Sequence, residues 1–511
     1  MSIAKKSETG KGNSCTENSL VDMAGKMGQW ICMAAEKGLA FHEFESEWHE
    51  MIHRMANLGT GLFISQQGDG DLGETVTTDE GVTLQRSAEP VNRPFQTVFG
   101  LFQIQAYVYA RGPKRKIELR PVDARMQLPP GYASYLFEEF SQCFCVEQAF
   151  DRSLDGIARV MRQTLSKETL ERINQRVGWQ AEHYLDELTA PPVAEEGELM
   201  ILTGDGKGVP LVKPDLARVP IFDPAERRGN RRMATLACVY SVDRYVRKPA
   251  DIVAALFRDA KDPTDHEPRP IPVTKQLSAR FARERDLGEG PEMISGQIEA
   301  FSWASQRIRD RLQLKQPLVA LMDGSPSQWD AMHASLDPDV SARVVEILDI
   351  LHVSQYVWKA AKVFHSQRKQ QESFARGRLE RILSGDVTSV ITGLRRMATM
   401  KKLKGKAATE IQTVCGYFTN NAGRMKYDEY LKAGYPIATG VIEGACRHLV
   451  KDRMERSGMR WSVEGAQPML HIRAIHQSPD RDDFYEVRIK TELQCLYPHK
   501  SLIRNYNPCP A

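Results

Sequence analysis

Apolar residues recur at helical spacing near the N-terminus and as short strand-like runs from residue 199 onward, and this change of period divides the chain. Met23, Met27, Ile31 and Ala34, then Met51, Met55 and Leu58, predict helix over 19–62. The glycine-rich, acidic stretch 66–90, with Gly68-Asp69-Gly70-Asp71, predicts a mobile loop. Residues 99–109 are partly alternating and rich in aromatic and β-branched side chains. They predict a strand that turns at Arg111-Gly112-Pro113-Lys114 and returns over 117–119, with Pro129-Pro130-Gly131 closing the module. Residues 134–186 are helical again.

Pro191-Pro192 and Glu195-Glu196-Gly197-Glu198 mark a boundary. Beyond it strands are predicted over 199–203, 233–242, 318–322 and 343–351, with a helix over 293–313. Residues 261–272 carry four prolines and read as a loop, and 354–431 is almost wholly helical. No internal repeat or long low-complexity tract is visible.

Composition changes this picture little. Hydrophobic residues at 41% and charged residues at 26% are ordinary for a globular protein of two to four domains. No apolar run approaches the ~18 residues of a membrane span, and the N-terminal stretch is too polar for a secretion signal. A cytoplasmic protein without a membrane partner is expected. Nine cysteines without a CxxC pair predict reduced thiols and no zinc ribbon. A net charge of +3 decides nothing about nucleic acid; its distribution does.

Three carboxylates stand out by position. Asp205 ends the apolar run LMILTGDGKG and Asp323 ends LVALMDGS; glycines beside both let a ligand approach the backbone. Glu443, in TGVIEGACRH, lies near the start of a predicted helix. Phosphodiester chemistry gives a reason to gather such groups, because two Mg²⁺ ions about 3.5–4 Å apart stabilise the attacking and leaving oxygens of an in-line displacement. Hard cations of this kind favour carboxylate oxygen. An Asp-Gly after a strand is also, by itself, an ordinary turn.

The chain resembles the ISKra-type insertion-sequence transposases. The resemblance rests on Gly204-Asp205-Gly206-Lys207-Gly208-Val209, Met322-Asp323-Gly324, Leu348-Asp349-Ile350-Leu351-His352-Val353, and above all the run GVIEGACRHLVKDRMERSGMRW from Gly440 to Trp461. It spans about residues 95–475. It implies an α/β, ribonuclease-H-like catalytic domain with an all-helical insertion, preceded by a helical and small-β region with a helix-turn-helix. It also implies an Asp, Asp, Glu triad at Asp205, Asp323 and Glu443, binding two Mg²⁺ or Mn²⁺ ions. The triad spacings are 118 and 120 residues (205 to 323 to 443), the second widened by the helical insertion. Asp349-x-x-His352 is similar to an element that related transposases place after the second acid, and both residues are given a supporting role. The expected partners are the element's terminal inverted repeats and target DNA, held by a homodimer or larger synaptic assembly, nucleoid-associated when bound. The alternative is a DNA-binding regulator derived from a transposase and no longer catalytic.

Positive groups for DNA are expected in four places. Residues 150–177 read as helix, turn, helix, with Ser166 capping the second helix and Leu170, Ile173 and Val177 facing inward. Lys167, Thr169, Arg172, Asn174 and Arg176 then lie outward or at the edges, beside the alternative of a plain helical hairpin. The helical insertion is basic, with Arg395, Arg396, Lys401 and Lys402 among its cations. Lys207 adjoins the first acid. Arg447, Lys451 and Met454 follow Glu443 at helical spacing, and Arg456 and Trp461 extend the run. Trp461 is read either as a stacking platform for an unpaired base or as core. His49-Glu50-Met51-Ile52-His53 matches HExxH, yet Arg54 and the absence of an obvious third ligand favour a polar helix face over a zinc protease.

The chain thus divides into a helical region with an acidic loop (1–90), a small β module (91–133) and a helix-turn-helix region (134–192). The catalytic domain follows in two parts (193–353 and 437–480) around the basic insertion (354–436), and 481–511 is a tail.

Overall fold

The structure is a computed structural model that describes residues 17–508, apart from 223–228, 260–267, 287, 289 and 457. Part of the proline-rich loop at 261–272 and the polar stretch at the N-terminus therefore lie outside the described residues. The chain forms two compact units, residues 17–177 with 482–508 and residues 178–481.

In the first unit the predicted helix over 19–62 is two helices, Glu17–Glu36 and Phe41–Ser65. The chain turns between them through Gly38, whose φ of 60° suits a residue without Cβ. The stretch read as a mobile loop holds the paired strands Thr75–Thr77 and Thr83–Arg86. These continue through Tyr109–Ala110 to Ile117–Leu119 as a four-stranded sheet, and Val91–Thr97 pairs with Gly100–Ala106 as a separate hairpin. Leu84, Tyr109, Leu119 and Ala124 form a small core under that sheet.

Residues 481–511, read as a tail, instead supply the helix Arg481–Leu496 to this unit. The reason is electrostatic. Glu138, on the helix Tyr135–Cys145, is buried and accepts from both Arg176 (2.5 Å) and Arg488. Glu492 accepts from Arg176 (2.5 Å) and from the Tyr135 hydroxyl (2.8 Å). Two carboxylates and two guanidiniums neutralise one another in a place where a lone charge would be costly.

The second unit is built on a five-stranded sheet: β1 (Leu199–Pro210), β2 (Arg231–Val242), β3 (Val273–Arg280), β4 (Leu318–Met322) and β5 (Val345–Leu348). Its order is β5-β4-β1-β2-β3, with β1, β4 and β5 parallel and the pairs β1–β2 and β2–β3 antiparallel. Leu199 to Gly204 are all buried, as is every residue of β4, which is the pattern of strands covered on both faces. On one face Met200, Leu202, Ala320 and Met322 pack against Phe301, Trp303 and Ile308 of the helix Gly296–Arg311 and Trp329 and Met332 of the helix Pro326–Ser335.

β3 and the hairpin Arg283–Asp286/Pro291–Ile294 were not legible as strands. β3 is half polar, and its terminal Arg280 is buried only because Glu182 and Asp186 pair with it. After β5 the chain enters the helix Ile350–Phe364 and then four further helices, Arg368–Leu383, Val387–Met400, Gly405–Asn421 and Tyr427–Lys432. It returns to the sheet edge at Gly440–Ala445. Among the described residues no helix is long and apolar enough to cross a membrane.

Candidate metal and nucleic-acid site

The site follows from where the strands stop. β4 pairs with β1 only from Leu318 to Ala320, opposite Met200 to Leu202, whereas β1 runs on against β2 as far as Pro210. Asp205 therefore stands three residues past its last pair with β4, and Asp323 stands three residues past that same pair on β4. Next to them, Met322 pairs with Leu348, so Asp323 and Asp349 are matched in the same way. Asp323 and Asp349 thus stand just past the ends of β4 and β5, and Asp205 lies within the adjacent parallel strand β1, beyond the point where β4 stops pairing with it.

Each carboxylate is held locally. Asp205 Oδ1 accepts from the Gly206 amide at 2.7 Å, and Asp323 Oδ1 from the Ser325 amide at 2.9 Å. Gly324 has no side chain because the ring of Tyr417, from the helix Gly405–Asn421, lies where one would start: a Cβ there would be 2.4 Å from the ring. Tyr417 stacks on Tyr356 with centroids 3.8 Å apart, which packs the helical insertion against the end of β4.

Asp349 is fully buried and caps the helix Ile350–Phe364. Its Oδ1 accepts from the Leu351 amide (3.1 Å) and the Thr439 amide (3.2 Å); its Oδ2 accepts from the His352 amide (3.4 Å) and faces His352 Nδ1 at 2.8 Å. Thr439 is the N-cap of the helix Gly440–Ala445, and its carbonyl accepts from the Glu443 amide at 3.0 Å. Asp349 thereby ties the turn that carries Glu443 to the end of β5 across 90 residues of sequence.

Among the described residues Asp349, His352 and Glu443 are the group whose donor atoms all lie within 4.8 Å of one another, and these three can hold a metal ion. Asp205 and Asp323 stand outside that group of three. With Asp349 already accepting from two nitrogens on each oxygen, the two donors with capacity to spare are the solvent-facing Glu443 and the second ring nitrogen of His352.

The electrostatics fit a cation. Burial raises the Asp205 carboxyl above its ordinary value, against a bond from the Cys446 thiol, and the Asp323 charge raises it further. Burial likewise raises Glu443, with the charges of Asp349 and Asp205 adding and His352 opposing. His352 is raised by its bond to Asp349, and the charges of Asp349, Asp323 and Asp205 add to this. Asp205 and Glu443, whose burial and neighbouring negative charges oppose their ionisation, are in the condition a divalent cation relieves. Cys446 is the site residue the sequence did not single out; a lone cysteine three residues after Glu443 carried no signal of a partner on β1.

Among the cations expected to meet DNA, several are exposed: Arg447, Lys451 and Arg456 beside the site, Arg395, Arg396, Lys401 and Lys402 on the insertion, and Lys167 and Arg172 in the first unit. Lys207 is half-buried, 3.8 Å from Glu455. Lys401 Nζ donates to the Phe364 carbonyl at 2.9 Å. Residues 446–451 wind as a π-helix, so the simple helical spacing of 443, 447, 451 and 454 is broken and Met454 turns into the core.

Trp461 is core too. Its indole is buried, Nε1 lies 3.3 Å from the Met454 carbonyl, and the Arg453 guanidinium sits over its ring, so it offers no face to a base. Ser166 accepts from the Thr169 amide as the expected cap, and Leu170, Ile173 and Val177 are buried as expected. Asn174 is also buried, bonded to Gln142, and Arg176 is held by Glu138 and Glu492; neither lies outward. In the HExxH stretch Glu50 pairs with Arg162 at 2.7 Å and the two imidazoles meet edge to face, so the helix-face reading accounts for it.

No family model matches the chain, and no curated protein does. One solved structure, the Drosophila P element transposase strand transfer complex, aligns over 72% of this chain and 83% of its own at 10% identity, with a TM-score of 0.22. A superposition that loose says nothing about fold or activity.

Proposed function

We propose that the chain cuts and joins DNA as an insertion-sequence transposase, with a ribonuclease-H-like second unit and Asp205, Asp323 and Glu443 as its catalytic acids. The observation that carries this reading is the row of aspartates on adjacent parallel strands with Glu443 tied to their edge through Asp349. The mixed sheet with aspartates on its adjacent parallel strands agrees with the resemblance to ISKra-type transposases. In this reading Asp205 and Asp323 hold Mg²⁺ or Mn²⁺, and Glu443 completes the set and orients the attacking water. When bound, the ions supply charge to the attacking and leaving oxygens of the phosphodiester. Asp349 is a positioning residue: it fixes His352 and the turn before Glu443. The exposed Arg447, Lys451 and Arg456 then lie close enough in sequence to Glu443 to meet the flanking phosphates.

The test is cleavage and strand transfer with Mg²⁺ on DNA carrying the ends of the element that encodes the chain. Wild type is compared with Asp205→Asn, Asp323→Asn and Glu443→Gln. Loss of cutting in all three, with DNA binding retained, is the expected result. Binding without cutting by wild type would instead make the chain a DNA-binding regulator.

A further inference from the structure

Asp205 and Asp323 form one edge of a cleft whose remaining walls are of a different character. Val219, Pro220, Met233 and Ala282 make it apolar, and Phe222, 42% exposed, stands at its rim. Arg232 is the cation of this wall, but its guanidinium donates to the carbonyls of Leu216, Val219 and Arg231. Among the described residues, the wall therefore offers no free positive charge to a phosphate.

What it offers is an amide. Gln328, on the helix Pro326–Ser335, is 5% exposed, and its Oε1 is buried without a hydrogen-bond donor. The neighbouring Gln297 shows the contrast, since its amide donates to Ser327 Oγ at 3.0 Å. Gln328 and Asp205 line the same cleft, with Gly206 between them: a Cβ at 206 would come into contact with Gln328 Nε2 at 3.8 Å and would crowd Met233 Cε at 2.7 Å. A buried acceptor without a partner is unfavourable and calls for an explanation, and a ligand that donates to it supplies one.

Resting on the DNA-cutting reading above, we propose that this cleft receives an unpaired nucleobase of the strand that meets the acids. Apolar walls and a rim phenyl suit a base's faces. A carboxamide, with one donor beside one acceptor, matches adenine N7 and N6, so adenine is the preferred base. The cleft then pulls the strand out of the duplex next to Asp205 and Asp323 and sets which nucleotide lies at the acids.

The experiment measures binding, with magnesium omitted, to a short duplex of fixed sequence bearing a single-stranded overhang that is all adenine, all thymine or abasic. Wild type is expected to bind the adenine overhang about tenfold more tightly than the abasic one, with thymine between. Gln328→Leu removes the difference between adenine and thymine and leaves abasic binding unchanged. Phe222→Ala weakens both base-bearing overhangs alike. Because Gln328→Leu deletes an unpartnered buried oxygen, its melting temperature stays at or above that of wild type, which separates loss of recognition from loss of fold. Equal affinity for the three overhangs, or an adenine preference that survives in Gln328→Leu, overturns the proposal. If the overhangs bind alike while the chain still cuts DNA, the cleft is wrong and the DNA-cutting reading stands. If adenine is preferred but nothing is cut, the reverse holds.

Discussion

Asp349 offers the sharpest test of how the site is held together. It is completely buried, and its carboxylate takes two backbone amides as the cap of one helix, one backbone amide from the turn before Glu443, and the imidazole of His352. In Asp349→Ala the lost cap costs about 1 kcal/mol. The buried Thr439 amide, left without a partner, adds about 1–3 kcal/mol. The expected loss in the second unit is therefore about 2–4 kcal/mol by urea denaturation. Asp349→Asn keeps Oδ1 as an acceptor for Leu351 and Thr439 but turns an NH₂ toward His352. It should lose about 1.5–3 kcal/mol, the contribution of a charge-assisted bond.

The pH dependence gives an independent readout. Because Asp349 raises the folded-state pKa of His352, the stabilisation is fully present below the unfolded value of 6.5 and is lost as pH rises through the folded value. Wild type should therefore lose stability across that window, and Asp349→Asn should lose clearly less, since only the charges of Asp323 and Asp205 then still favour the protonated His352. An Asp349→Ala protein as stable as wild type to within about 0.5 kcal/mol, with an unchanged His352 titration, would refute the positioning role.

Four further outcomes are expected. Asp205 has a raised folded-state pKa, so its charge opposes folding at neutral pH; Asp205→Asn should be the more stable protein there without metal, and the gap should close as pH falls through the raised value toward 3.8. Mn²⁺ at about a hundred times its dissociation constant should stabilise wild type by about 2.7 kcal/mol in thermal melts, and Glu443→Gln should abolish the shift. Gly324→Ala places a methyl against the Tyr417 ring and should cost about 1–3 kcal/mol, recovered in part by Tyr417→Leu. Glu138→Gln removes a buried negative charge that pairs with both Arg176 and Arg488 and should destabilise the first unit by about 3–5 kcal/mol in denaturant; a loss under about 1 kcal/mol would show that these pairs are dispensable.

The sequence by itself determined what local pattern controls. The apolar run 318–322 is β4 residue for residue, and Asp323-Gly324 follows it directly, because an apolar run ending in Asp-Gly is a local instruction to stop and turn. The Ser166 cap and the inward faces of Leu170, Ile173 and Val177 were legible for the same reason.

Tertiary structure decided the rest, because burial there depends on partners far away in the chain. Asp205 lies inside a strand that runs on to Pro210, since β2 continues to pair with it after β4 has stopped. Arg176 and Asn174 sit on a helix face that looked free, but residues from other helices, Glu138, Glu492 and Gln142, turn that face into an interior. Trp461 is core because β1's neighbouring backbone and Arg453 enclose it. The first unit recovers residues 482–508 through an ion pair spanning 350 positions, which no window of sequence contains. Asp349 joins the end of β5 to the turn before Glu443 across 90 residues, a link made by hydrogen bonds that exist only once the helical insertion has folded back to the sheet edge.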